Sequence, residues 1–196
     1  MALLTEAAKK GLLLKARSAI ANAIGAESPP PPMAAADLAE ALSAKAGLIP
    51  ADLLAGAFVT IRKKGQLRGC IGYPEPERPL LDVVEHCAVS AAISDPRFPP
   101  LTAAEWDDVD LELSVLGPIE PVDHIREVVI GRDGLIVELG RRRGLLLPQV
   151  AVEWKWNAEE FAAQTCIKAG LPPDAWQKGA KLFKFEAEVF AETEFP

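Results

Sequence analysis

The sequence predicts an α+β fold, and three observations carry that prediction. Amphipathic helical stretches are interspersed with short strand-like runs, those runs include a hairpin and a cleanly alternating segment, and no regular strand-helix-strand rhythm links them. The 196 residues are 49% hydrophobic and 25% charged, the balance of a globular domain. A chain of this length buries roughly 70% of its unfolded surface without covalent staples.

The first element is a helix over residues 4–24, in which Leu4, Ala8, Leu12, Ala16, Ile20 and Ile24 recur at helical spacing between lysines and arginines. It ends near Gly25. Residues 28–36, containing Pro29 to Pro32, read as an extended spacer, because each proline lacks an N–H and drives its predecessor out of the helical region.

Residues 55–62 and 66–71 form a hairpin about Lys63-Lys64-Gly65. A three-residue loop with Gly65 in a left-handed bulge sets Ile61 opposite Leu67 and Val59 opposite Gly69. That register predicts one apolar face, of Ala57, Val59, Ile61, Leu67 and Ile71, and an opposite face of Phe58, Thr60, Arg68 and Cys70.

A helix from Pro79 to Ser94 follows, with Leu80, Val84, Cys87, Ala88 and Ala91 as its core stripe. Asp95 to Pro100 is a proline-braced loop, and Thr102 with Glu105 three residues on can cap a short helix. Asp110 to Val115 alternates as a half-buried strand, with Asp110, Glu112 and Ser114 on one face. Later strands are expected at 135–139, 145–152 and 183–189, and Asn157 with Glu160 caps a helix ending at Gly170.

Charge and cysteine usage narrow the function classes. The net charge of -7 argues against phosphate backbones and anionic lipid as partners, so neither nucleic acid nor membrane is expected. The opening residues lack a secretory pattern, and no apolar run approaches the roughly 20 residues that span a bilayer. Three widely spaced cysteines suit a reducing compartment, so the expected location is cytoplasmic. Two distant histidines, no paired cysteines and no glycine-rich phosphate loop leave no nucleus for a metal or a cofactor, and none is expected.

The segment Leu67-Arg68-Gly69-Cys70-Ile71-Gly72 is the leading candidate for chemistry. Gly69 and Gly72 bare the backbone around Cys70, so a ligand can approach closely, and Arg68 two residues away can favour a reactive thiolate. The competing reading makes Cys70 a small buried hydrophobe whose glycines serve packing. His86, on the polar side of its helix, and Glu112 are the candidate proton-moving groups. Arg97 and Phe98 form a candidate anion-binding and stacking lip, or equally a structural salt bridge and a core anchor, and Gln149 offers an amide within an apolar run, either to a ligand or to the backbone.

The hexapeptide resembles the signature of the AMMECR domain family. Asp95 to Leu101, Glu112 to Leu116, Gly131 to Leu135, Leu145 to Ala151 and Lys168 to Leu171 resemble its other blocks in order, covering residues 5–191 as one domain. The resemblance implies two interlocked β-rich lobes, with helices on a mixed or antiparallel sheet and the signature near a cleft between the lobes. It also implies membership of a bacterial and archaeal system, AmmeMemoRadiSam, with Memo-like and radical S-adenosylmethionine proteins as partners. Any iron–sulfur cluster would then belong to such a partner. Two functions stay open: a binding component for a small anionic ligand, and a Cys70-dependent enzyme acting on one.

Overall fold

A computed structural model describes residues 4–27, 31, 33–43 and 54–195. It is α+β, with every recorded strand pairing antiparallel. The chain divides into two compact units, residues 1–116 with 188–196, and residues 117–187.

The first unit opens with α1 (Glu6–Ile24), capped by the Thr5 hydroxyl on the Ala8 amide and closed by Gly25 in the left-handed region. Its apolar stripe is buried as the spacing predicts, from Ala8 through Leu12 and Ala16 to Ile20. Pro29, Pro30 and Pro32 of the spacer lie outside the described residues. Helix α2 (Ala35–Ser43) overlaps the end of the expected spacer, because the Ala/Leu/Glu-rich run after Pro32 has high helix propensity. Leu38 and Leu42 bury against α1, where Gly11 makes room for Leu38.

Strands β1 (Ala57–Lys63) and β2 (Gln66–Tyr73) form the hairpin, and β1 also pairs β3 (Val109–Leu116), so β2 is the edge of a β2-β1-β3 order. The hairpin register differs from the expected one. Lys64 and Gly65 both have positive φ, 51° and 79°, which makes a two-residue turn matching the strand twist. A bulge then absorbs Arg68, so Ile61 pairs with Gly69, Val59 with Ile71 and Arg62 with Leu67. Leu67 is consequently 40% exposed rather than part of the core face. Ala57, Val59 and Ile61 are buried as expected, against α3 (Leu80–Ile93) and α1.

The second unit holds β4 (Glu120–Pro121), β5 (Asp133–Leu139), β6 (Arg142–Leu146), α4 (Pro148–Glu153), α5 (Ala158–Lys168) and the first part of β7 (Lys181–Ala191). Its strand order is β6-β5-β7, with β4 on β7. The strand expected over 145–152 ends at Leu146 instead. Pro148 stands at the first helical position, where its missing N–H costs nothing, and starts α4. Asn157 and Glu160 make the predicted reciprocal cap of α5, whose Phe161, Ala162 and Cys166 bury against Leu135 and Val137 of β5.

Candidate functional site

The signature strand is locked from its open edge by one carboxylate. Asp95 follows the C-terminus of α3, its side chain is 2% exposed, and its Oδ2 accepts the Cys70 amide at 2.9 Å. The same carboxylate accepts the Arg97 amide at 3.1 Å, its Nε at 2.9 Å and its Nη2 at 2.6 Å. Arg97 Nη2 also donates to the Cys70 carbonyl at 3.0 Å, so both main-chain groups of Cys70 that face away from β1 are engaged by the Asp95-Arg97 pair. The Arg97 guanidinium holds the Asp95 carboxyl well below the usual carboxylate range.

Arg97 therefore occupies a fixed position although its side chain is 53% exposed. It lies over the Phe98 ring at 5.5 Å, and its Nη1 donates to no described residue. The proline-braced loop thus places the Arg97 guanidinium beside the Phe98 ring.

Arg68 directs its hydrogen bonds to the turn after the proline loop. Its Nε and Nη2 grip Glu105 at 3.1 Å each, and its Nη1 and Nη2 donate to the carbonyls of Pro99 and Pro100. Glu105 also receives Lys63 and the Thr102 amide and hydroxyl, and Arg68 foremost pulls its carboxyl down to about 2. The reason is the bulge, which turns Arg68 toward the capped turn after the proline loop.

On the sheet, Cys70 of β2 lies opposite Thr60 of β1, and Thr60 opposite Glu112 of β3. The Thr60 hydroxyl stands 3.4 Å from Cys70 Sγ. Glu112 is half-buried and pairs with Arg62 at 3.5 Å. Cys70 is half-buried, whereas Cys87 and Cys166 are fully buried, and burial pushes the Cys87 thiol up to about 11. His86 sits exposed on α3, joined to Cys70 by no hydrogen bond or ion pair among the described residues.

Each glycine of the signature has a packing reason. A Cβ at Gly69 would overlap the Ala91 carbonyl of α3, and one at Gly72 would overlap the Phe58 ring. Gln149, the second residue of α4, has a buried Oε1 that accepts no hydrogen bond from described residues. The basic runs are paired: Arg62 with Glu112, Lys63 with Glu105, Lys64 with Asp108, Arg143 with Glu138, and Arg142 with the Gly170 carbonyl. No group of three metal-ligating side chains gathers among the described residues, and no described helix is long and apolar enough to cross a membrane.

Sequence reading names Arg97 but misses Asp95 and Thr60. An aspartate before a proline reads as a turn former, and a threonine in a strand as a β-former. Thr60 shares the alternating strand face of Cys70, and that period is the available signal for the second.

The architecture defines an α+β protein whose signature strand is pinned by a buried aspartate and its exposed arginine partner beside a half-exposed cysteine. The chain belongs to the AMMECR1 family, whose model matches residues 13–190. It is 55% identical over 144 residues to a protein of Methanothermobacter thermautotrophicus, covering 70% of this chain and 75% of the relative. Protein MJ0810 of Methanocaldococcus jannaschii is 50% identical over 148 residues, covering 71% and 74%. Among solved structures, the crystal structure of the uncharacterised protein PH0010 from Pyrococcus horikoshii superposes with a TM-score of 0.80 at 39% identity, covering 97% of this chain and 94% of that one.

Proposed function

We propose that the Cys70 edge of the first unit binds a small anionic ligand, with Arg97 as its fixed cation and Phe98 as its flanking ring. The observation that carries this reading is the immobilised guanidinium: three hydrogen bonds to Asp95 and Cys70 hold it, while Nη1 has no partner among described residues. A preformed donor loses little entropy on binding, so one ligand oxygen on Nη1 gains a charge-assisted hydrogen bond cheaply. Titration of isotope-labelled protein with inorganic phosphate, and separately acetate, should shift the amide resonances of Cys70, Arg97 and Phe98 together. Unmoved resonances at these positions with both anions would overturn the reading.

A second reading, Cys70 as a nucleophile or redox thiol, draws on the Thr60 hydroxyl 3.4 Å from Sγ. A donor at that distance stabilises thiolate, the reactive form. Cys70 should then be alkylated faster than a cysteine in an unstructured peptide, with buried Cys87 and Cys166 as internal controls in the same molecule. A rate equal to the peptide's sinks this reading and leaves the first intact.

We further infer a reducing cytoplasm, which the free cysteines fit, and Memo-like and radical S-adenosylmethionine proteins as partners in one intracellular system, as the resemblance of the Leu67 to Gly72 segment implies. Affinity purification from cells producing the full chain should recover one of them, and Arg97→Ala or Phe98→Ala should weaken recovery if the lip is the contact. Recovery of neither partner counts against the association.

A further inference from the structure

The free edge of β2 narrows to the main chain of Gly72. In an antiparallel pair the outward main-chain groups alternate along the strand, and at Cys70 the amide and carbonyl point away from β1, to Asp95 and Arg97. Gly72, two residues on and half-buried, therefore turns its own N–H and C=O outward. Neither meets a hydrogen-bond partner among the described residues. Beyond it stands Pro74, which has no N–H and whose carbonyl lies against Gly56.

An added strand could approach Gly72 in either direction, and the groups at Cys70 choose between them. Asp95 and Arg97 already fill the place opposite Cys70 that a continuing strand would need, so the strand has to end at Gly72. An antiparallel strand ends there on its C-terminus, with one carboxylate oxygen accepting the Gly72 amide and the last peptide N–H donating to the Gly72 carbonyl. The Gly72 amide lies on the Cys70 side of that residue, so the same carboxylate meets the Arg97 guanidinium, whose Nη1 donates to no described residue. A parallel strand would instead set its N-terminal ammonium against that cation. Asp95 offers such an ammonium little, being 2% exposed with both oxygens engaged.

We propose that this edge captures the C-terminus of an extended peptide, with Gly72 pairing its last residue and Arg97 receiving its carboxylate. The assignment rests on the anion reading of Arg97 given above and names the class of anion. It also fixes a side-chain preference. Phe58 lies opposite Gly72 on β1, and its ring covers the place a Cβ at Gly72 would take. Residues opposed across strands share a face, so the last peptide side chain continues that row toward the Phe58 ring, and an apolar C-terminal residue fits best.

The test titrates the isotope-labelled full chain with an N-acetylated tetrapeptide of alternating threonine and leucine that ends on leucine with a free carboxylate. Two altered peptides serve as controls: one amidated at its C-terminus, the other N-methylated at the last peptide nitrogen. All changes are in the ligand, so the protein's folding is common to every arm. The free acid should shift the Gly72 amide and the Arg97 side-chain resonances together and saturably. Each altered peptide should bind about tenfold more weakly, the scale of one charge-assisted or main-chain hydrogen bond. An unmoved Gly72 amide, or equal binding of the amidated peptide, overturns the proposal. A Gly72 amide that shifts with protein concentration alone assigns the edge to a second copy of the chain and overturns it too. Acetate separates the two readings. If acetate moves Arg97 and the free acid leaves Gly72 unmoved, the peptide assignment falls alone; if neither acetate, phosphate nor peptide moves Cys70, Gly72, Arg97 or Phe98, the anion site falls with it.

Discussion

Asp95 accepts the backbone amide of Cys70 at 2.9 Å from 25 residues away, so the carboxylate of a loop does the work of a missing neighbouring strand. An edge strand presents unpaired N–H and C=O groups, and here the Asp95-Arg97 pair covers both at Cys70. The conformation of the signature therefore depends on a residue outside it.

Removing that charge tests the dependence. Asp95→Asn places an amide N–H₂ among donors and leaves Arg97 with a weaker acceptor. The expected cost is about 2 kcal/mol, the scale for hydrogen bonds to a buried charged group, because the Arg97 end of the pair is 53% exposed. Urea unfolding of the two proteins measures it, and a cost under the roughly 0.5 kcal/mol of an ordinary surface change would show that the hub is dispensable.

Glu105 gives the protein an acid-sensitive latch. Its carboxyl, ordinarily at 4.5, is pulled to about 2 by Arg68 and then Lys63 and Thr102, so it binds protons less readily folded than unfolded. The stabilisation is complete above pH 4.5 and is lost as pH falls toward 2. Thermal melts across that window should show Tm falling less steeply with acid in Glu105→Gln than in the parent; parallel slopes would remove Glu105 as a source.

The two glycines separate by what blocks them. Gly69→Ala meets the backbone carbonyl of Ala91, which cannot turn aside, whereas Gly72→Ala meets the Phe58 ring. Each should cost about 2 kcal/mol. Adding Phe58→Ala should recover part of the loss in Gly72→Ala and none of it in Gly69→Ala, as chemical denaturation of the paired variants will show.

The hairpin turn places a lysine at φ 51°, a conformation asparagine tolerates better. Lys64→Asn should raise stability by about 0.5 kcal/mol, at the cost only of the Asp108 pair, whose Lys64 end is 75% exposed and contributes little. A lower melting temperature would mean that the ion pair outweighs the turn.

The sequence by itself determined the α+β class, the caps at Gly25, Thr102 and Asn157, the buried stripe of α1 and the polar face carrying Thr60 and Cys70. These follow from interactions within a few residues or from a strict period, both written in order along the chain. Tertiary structure decided the rest. The hairpin register came from two one-residue choices, a tight turn and a bulge at Arg68, and the bulge turned Arg68 to Glu105. Asp95 became the hub of the signature, and Arg97 rather than Arg68 came to lie on Cys70, because their partners are distant in sequence and nothing in the local pattern of a proline loop announces a buried carboxylate. The segment from Leu67 to Gly72 was legible as the place; the groups that hold it were not, since a strand edge is completed by whatever the folded chain brings beside it.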